Sequence, residues 1–115
     1  MPTQRQFFDA FVASFRRVRS VRDPVASEIW TIRDGKGRKR QVEIAIGKPQ
    51  PIPGDKKRDW YCPVHIAGWR SHVTPVFGVG PLDSLENATR FVKLFRDQVA
   101  DMHIKSDRGA RALKV

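Results

Sequence analysis

The sequence predicts an α+β domain: a four-stranded antiparallel sheet with a long C-terminal helix packed on one face and an amphipathic helix at the N-terminus. Three patterns carry this prediction. Apolar residues recur every three or four positions from Leu85 to Met102, the spacing of a helix with one buried face. Residues 40–47 alternate between polar and apolar, which is typical of a half-buried strand. Phenylalanines recur at helical spacing in residues 7–15.

The chain has 115 residues, which suffices for one hydrophobic core. We divide it into an N-terminal amphipathic helix (1–22), a single α+β domain (23–104) and a flexible basic tail (105–115). No apolar run has the length of a membrane helix, and the N-terminus alternates Phe with Arg where a secretory signal would be continuously apolar. Cys62 is the single cysteine and has no partner for an internal disulfide, so we expect a cytoplasmic protein.

Residues 4–18 are predicted to form the first helix, with the phenylalanines on one side and arginines around the other. Such a basic amphipathic helix can lie on a membrane or bind a partner, and it can equally pack on the sheet or on a second subunit. Because the rings exceed what a small sheet easily covers, we expect a homodimer. The predicted protein interface consists of Phe7, Phe8, Phe11 and Phe15.

Four strands are predicted between the two helices. Residues 27–33 and 40–47 form a hairpin around the Asp34-Gly35 turn, followed by strands at residues 60–67 and 73–79. Residues 48–59 contain three prolines and are predicted to be a loop that pairs with no strand. Pro63 lacks an amide donor, so the third strand should lie at an edge or turn that position away from its neighbour.

The C-terminal helix is predicted to run from Asp83 to His103. Asp83 can accept a hydrogen bond from the amide of Glu86 while the Glu86 side chain reaches back, which is a capping-box arrangement. An acidic first turn also suits the helix dipole.

Two features suggest catalytic or metal chemistry, and the sequence argues against both. Cys62 and His65 are three positions apart in a predicted strand, so their side chains point to opposite faces and cannot share an ion or a proton. Gly78 and Gly80 precede a helix, but the dinucleotide motif needs a third glycine where this chain has Asp83. We therefore predict no enzyme activity, no catalytic residue, no metal and no cofactor.

Positive charge is the outlier in the composition. The formal net charge is +10, and residues 1–25, 33–40 and 105–115 account for all of it. A glycine-containing basic turn can contact the phosphates of nucleic acid or another polyanion, and Tyr61, Trp69 or Trp30 could stack on bases. The alternative is that these charges only solvate loops. The predicted polyanion-binding residues are Arg33, Lys36, Arg38, Lys39, Arg40, Lys56, Lys57 and Arg58.

Two segments carry a resemblance to a known group of proteins. Residues 60–68 read Trp-Tyr-Cys-Pro-Val-His-Ile-Ala-Gly, and residues 77–88 read Phe-Gly-Val-Gly-Pro-Leu-Asp-Ser-Leu-Glu-Asn-Ala. They resemble a family of small bacterial α+β proteins of unknown function that share a Trp-x-Cys strand and a helix start with glycine before Asp-Ser-Leu. The resemblance implies a sheet with a packed helix and no particular activity. The order of elements is also loosely similar to Whirly and Pur single-strand binders and to double-stranded RNA-binding domains.

Two functions remain open from the sequence. One is a non-enzymatic module that binds nucleic acid or another polyanion through the basic hairpin. The other is a protein-interaction or assembly module that acts through the Phe-rich N-terminal helix. Placement of charge distinguishes them, because a binding surface requires the basic segments to converge.

Overall fold

The structure is a computed structural model that describes residues 3–33 and 36–99, together with the backbone of residues 105–106. The elements follow in the order α1 (Gln4–Ser14), a 3₁₀ turn (Phe15–Arg17), β1 (Pro24–Arg33), β2 (Lys39–Gly47), β3 (Gln50–Pro51), β4 (Trp60–Ala67), β5 (Thr74–Gly78), α2 (Pro81–Gln98) and β6 (Lys105–Ser106). The predicted α+β class is confirmed.

The sheet is antiparallel throughout, and β4 lies at its centre. β5 pairs with β4 over residues 60–64. β2 and β3 share the opposite edge of β4, β2 beside residues 64–67 and β3 beside residues 60–61. β1 pairs along β2, and β6 adds two residues beside Trp30 and Thr31. The prediction that residues 48–59 pair with no strand is therefore wrong, because Gln50 and Pro51 lie opposite Tyr61 and Trp60.

Pro63 lies in a central strand and is accommodated by a gap in the pairing. The ladder to β2 ends at Val64, and the ladder to β3 begins at Tyr61, so Pro63 falls between the two. Gly47 faces it closely: a Cβ at Gly47 would lie 2.5 Å from Pro63 Cγ. Pro63, which has no amide donor, thus lies where the segment between β2 and β3 leaves the edge of β4.

Helix α2 covers one face of the sheet and forms the main core. Phe95 and Val99 pack with Trp30, Ile32 and residues of β2 and β4, and Ala88 packs with Ile46, Cys62 and Val64. The predicted apolar stripe is confirmed up to Val99. The predicted helix end at His103 is wrong, because α2 ends at Gln98 with Val99 as its C-cap. Met102 and His103 themselves lie outside the described residues. Residues 107–115 of the predicted tail also lie outside them, while Lys105 and Ser106 pair with β1.

The start of α2 differs from the prediction. Gly80 is the N-cap and Pro81 the first helical residue, a position where proline loses no hydrogen bond. Asp83 Oδ2 accepts from Val79 N at 2.9 Å, and Glu86 pairs with Arg90. The capping box predicted at Asp83 and Glu86 is therefore wrong. A capping box does occur in α1, between Thr3 and Gln6.

Helix α1 lies over the other face of the sheet. Phe8 meets Phe77 edge to face at 5.3 Å between ring centroids, and Phe11 meets Tyr61 at 5.1 Å. In the strand predicted at residues 73–79, Val73 and Pro75 are buried and Phe77 is half-buried, but Val79 is 80% exposed. Val79 lies beyond the end of β5, where the chain turns into α2.

The outer edge of β5 has few main-chain groups available for another strand. Val73 N donates to Val18 O at 2.8 Å, and Phe77 O accepts from Asn87 Nδ2 at 2.9 Å. Pro75, between them, has no amide proton. This edge is therefore closed within the chain.

Candidate polyanion interface

The β1–β2 turn brings two predicted cations together on one face of the sheet. Arg33 and Lys39 pair directly across the hairpin, and both are exposed. Arg33 Nη1 donates to Gly37 O at 3.0 Å, and Gly37 has φ +78°, a conformation that favours glycine. The guanidinium of Arg33 is thus oriented by a main-chain oxygen of the turn.

Arg40 follows Lys39 directly and therefore lies on the opposite face of the sheet. It is held there by the turn between β4 and β5. Its Nη2 donates to Gly68 O, and its guanidinium lies 5.5 Å from the centre of the Trp69 ring. Trp69 in turn meets the buried Phe95 edge to face at 5.2 Å. The hydrophobic core therefore fixes the ring against which Arg40 rests.

Arg70 lies at the same end of the sheet and was missed by sequence reasoning. Its guanidinium lies 5.5 Å from the centre of the Phe91 ring. The turn that carries it sits tightly against β2, because a Cβ at Gly68 would lie 2.7 Å from Gln41 O. Only this packing of the turn on β2 shows that Arg70 adjoins the hairpin. We call Arg33, Lys36, Arg38, Lys39, Arg40 and Arg70 the basic end; each is exposed.

The other three predicted cations lie at the opposite end of the sheet. Lys56, Lys57 and Arg58 belong to the loop between β3 and β4, which follows Pro51. Lys39 pairs with β1 at one end of the sheet and Pro51 with β4 at the other, and the twelve positions between them correspond to roughly 40 Å at about 3.3 Å per residue. The structure therefore does not bring the eight predicted residues into one cluster.

Asp55 organises this second basic loop. Its carboxylate accepts from Gln4 Nε2 at 3.0 Å, from Asp59 N at 2.9 Å and from Lys57 N at 3.3 Å. The hydrogen bond from Gln4, reinforced by the two main-chain donors and the Lys57 charge, lowers the pKa of Asp55 against an opposing effect of burial. The loop thus presents three cations around an ionised carboxylate, and this carboxylate reduces the net charge of the loop.

Of the three aromatic residues predicted to stack on bases, the structure excludes Trp30 by its burial and shows Tyr61 and Trp69 partly covered. Trp30 is only 3% exposed and stacks on Phe95, while Tyr61 is covered by Phe11 and Phe15. Trp69 is half-buried between Phe95 and Arg40. The alternation of β4 placed Tyr61 on the face away from α2, as the structure shows, but that face is covered by α1.

The four phenylalanines of the predicted protein interface contact this chain's own sheet and one another. Phe7 and Phe8 meet at 5.7 Å, and Phe11 and Phe15 meet at 5.2 Å. Each of these rings is half-buried, while Val12 beside them remains 43% exposed. The sheet therefore provides much of the cover that the sequence assigned to a second subunit.

Cys62 and His65 lie on opposite faces of β4, as the alternation predicts. Cys62 Sγ is buried 3.1 Å from Gly47 O, and burial raises the pKa of its thiol to about 11. His65 Nε2 lies 3.2 Å from Arg70 O. Within residues 3–33 and 36–99, no group of three or more His, Cys, Asp or Glu side chains could hold a metal ion.

In the described part of the chain, no helix combines the length and the apolar character needed to cross a membrane. Comparison of the chain with family models, with curated proteins and with solved structures finds no match. Functional inference therefore rests on the residues themselves.

Proposed function

We propose that this protein is a non-enzymatic binding module that holds nucleic acid at its basic end. The observation that carries the proposal is the way its arginines are oriented. Main-chain oxygens hold Arg33 and Arg40, and aromatic rings lie beneath Arg40 and Arg70. Such partners fix a guanidinium group without neutralising it, so phosphate contacts form with less loss of side-chain entropy.

The distribution of paired charge supports this choice of surface. The ion pairs Glu86–Arg90 and Arg96–Asp97 lie on α2, and Asp55 lies inside the loop that carries Lys56–Arg58. Of these, the Asp55 carboxylate reduces the positive potential around Lys56–Arg58. We accordingly make the basic end the primary contact, and Lys56, Lys57 and Arg58 a secondary one that only a long polymer reaches.

The test is binding of labelled nucleic acid, single-stranded and duplex, by fluorescence anisotropy across a salt series. Each phosphate contact contributes about 0.9 to the slope of log affinity against log salt on duplex DNA. We expect the double variant Arg33→Gln and Lys39→Gln to lower that slope by about two. The matched double variant Lys56→Gln and Lys57→Gln removes the same charge from the other end and should leave the slope on short nucleic acid unchanged.

The length of the duplex distinguishes binding at the basic end alone from binding at both basic clusters. A stem of about six base pairs spans roughly 20 Å and cannot bridge the two clusters, whereas about twenty base pairs span roughly 70 Å. We expect the Lys56 and Lys57 variant to weaken binding only to the longer duplex. No binding at low salt, or equal losses from both double variants on the short stem, would overturn the proposal.

The second function that an observation favours is assembly through α1. The half-buried phenylalanines and the exposed Val12 leave apolar surface on this helix, on which a second copy could pack. Under this alternative the protein is a homodimer. Light scattering of the intact protein and of a variant with Val12→Glu distinguishes the two, because only a dimer through α1 would lose half its mass.

The proposal includes a bacterial cytoplasmic setting, as the sequence resemblance and the lone cysteine suggested. The buried thiol of Cys62 is compatible with a reducing compartment. Expression of a fluorescent fusion and co-localisation with the nucleoid or with ribosomes would test this part separately.

A further inference from the structure

A groove on the α1 side of the sheet has the size of a small-molecule site. It lies between the segment that follows α1, residues 15–22, and the outer face of β3 and β4. Its volume is about 400 Å³, within the range of pockets that hold small ligands. No residue of the basic end lines this groove, and Phe15 alone among the phenylalanines of the predicted protein interface does.

The wall of the groove is fixed in place by contacts along its length. Val18 O accepts from Val73 N at 2.8 Å, and Arg19 Nη1 donates to Ser71 O at 2.8 Å. Gly47 lets the wall approach β4, because a Cβ there would lie 2.7 Å from Val21 Cγ1 and 2.5 Å from Pro63 Cγ. Because these contacts fix the wall, we expect binding to require little reorganisation of the groove.

The groove combines an apolar floor with two cations. Phe15, Val18 and Pro63 contribute apolar surface, and Arg19 and Arg22 contribute guanidinium groups. The Tyr61 hydroxyl donates a long hydrogen bond to Gln50 Oε1 at 3.4 Å. Burial raises the pKa of Tyr61, so this hydroxyl remains protonated at neutral pH. The ten described residues that line the groove include no carboxylate.

We propose that this groove binds a small organic anion, with an apolar body against Phe15 and Pro63 and a carboxylate or phosphate group on Arg22. Arg19 donates one of its five N–H groups to Ser71 O, which fixes it in the wall. Because its other N–H groups are not used in that bond, Arg19 also serves as a second cation. A planar or aliphatic body fits the apolar floor, and the guanidinium fork of Arg22 matches the geometry of both anionic groups.

The test uses anilinonaphthalene sulfonate as a fluorescent probe on the intact chain, with decanoate and naphthyl phosphate as competitors. We expect one probe per chain, displaced by both competitors or by the one whose anionic group the site prefers. Arg22→Gln should weaken probe binding about tenfold, because a charge-assisted hydrogen bond is lost. Ser20→Phe replaces an exposed small residue of the lining with a ring that occupies the space, and should abolish binding.

Arg16→Gln is the matched control, since Arg16 is exposed on the same segment but does not line the groove. Circular dichroism and the thermal midpoint confirm that each variant is folded. Probe binding unchanged in both Arg22→Gln and Ser20→Phe, or lost equally in Arg16→Gln, would overturn the assignment. The outcome is independent of the basic end, because Arg22 precedes the start of β1, whereas Arg33 and Lys39 lie at the other end of the hairpin.

Discussion

Replacing Phe95 with alanine should cause one of the largest single losses of stability in this domain. Phe95 is only 4% exposed, stacks on Trp30 at 6.0 Å between ring centroids and meets Trp69 edge to face. Truncation of a buried phenylalanine costs about 3–5 kcal/mol of unfolding free energy. Because two aromatic pairs are lost together, we expect a value near the upper end, about 4–5 kcal/mol.

Urea unfolding followed by tryptophan fluorescence measures this loss, and Leu94→Ala provides the control. Leu94 is the preceding helical residue but is 61% exposed, so its truncation should change the free energy by about 0.5 kcal/mol or less. If Phe95→Ala does not fold, Phe95→Leu measures the same contact, with an expected loss of about 1–1.5 kcal/mol. A loss for Phe95→Ala below about 1.5 kcal/mol, or equal to that of Leu94→Ala, would refute the packing described for Phe95.

Three further predictions concern a glycine, a thiol and a carboxylate. A Cβ at Gly78 would collide with the backbone of Ser84, whereas one at Gly80 would meet nothing within 4 Å. In urea unfolding, Gly78→Ala should therefore lower the free energy of unfolding by about 2 kcal/mol or more. Gly80→Ser should not lower it, because serine is a good N-cap. Cys62 is buried with its pKa raised to about 11, so iodoacetamide at neutral pH should alkylate it only through the small unfolded population, far more slowly than a free thiol. Rapid alkylation of the folded protein would contradict its burial. The pKa of Asp55 is lower in the folded chain than its ordinary value of 3.8, so its contribution to stability is present above that value and is lost as the pH falls through the lowered pKa. Asp55→Asn should remove this part of the acid dependence of the urea midpoint, and an identical acid profile in the variant would show that the Gln4 contact is absent in solution.

Much of the fold was predictable because local patterns and tertiary packing agree. The alternation of residues 40–47 and 60–67 assigned the correct face to Val42, Ile44, Cys62 and Val64, since burial on one side enforces a period of two. The spacing of Ala88, Phe95 and Val99 likewise identified the buried stripe of α2. The helix start was missed because Pro81 and Gly80 set it through backbone geometry, while Asp83 bonds backward to Val79.

The candidate site was less predictable, because its geometry depends on pairing between distant segments. The hairpin cations were evident from composition, but Arg70 joins them only through the close approach of Gly68 to Gln41. Lys56–Arg58 were separated from them by the unforeseen pairing of β3, which extends the sheet away from the hairpin. The sequence could not show that Trp30 is buried or that Tyr61 is partly covered, because a strand's alternation predicts which face a ring occupies and not what packs on that face.

The closed edge of β5 has a consequence for how the protein behaves at high concentration. Amyloid-like growth and strand exchange begin where a strand offers a row of unpaired amides and carbonyls to an incoming chain. At β5 that row is interrupted by Pro75, and the groups on either side bond to Val18 and Asn87. Self-association at this edge would first have to release the chain after α1 and the first turns of α2. Crowded conditions in a cell should therefore favour contacts between side-chain surfaces over polymerisation through β5.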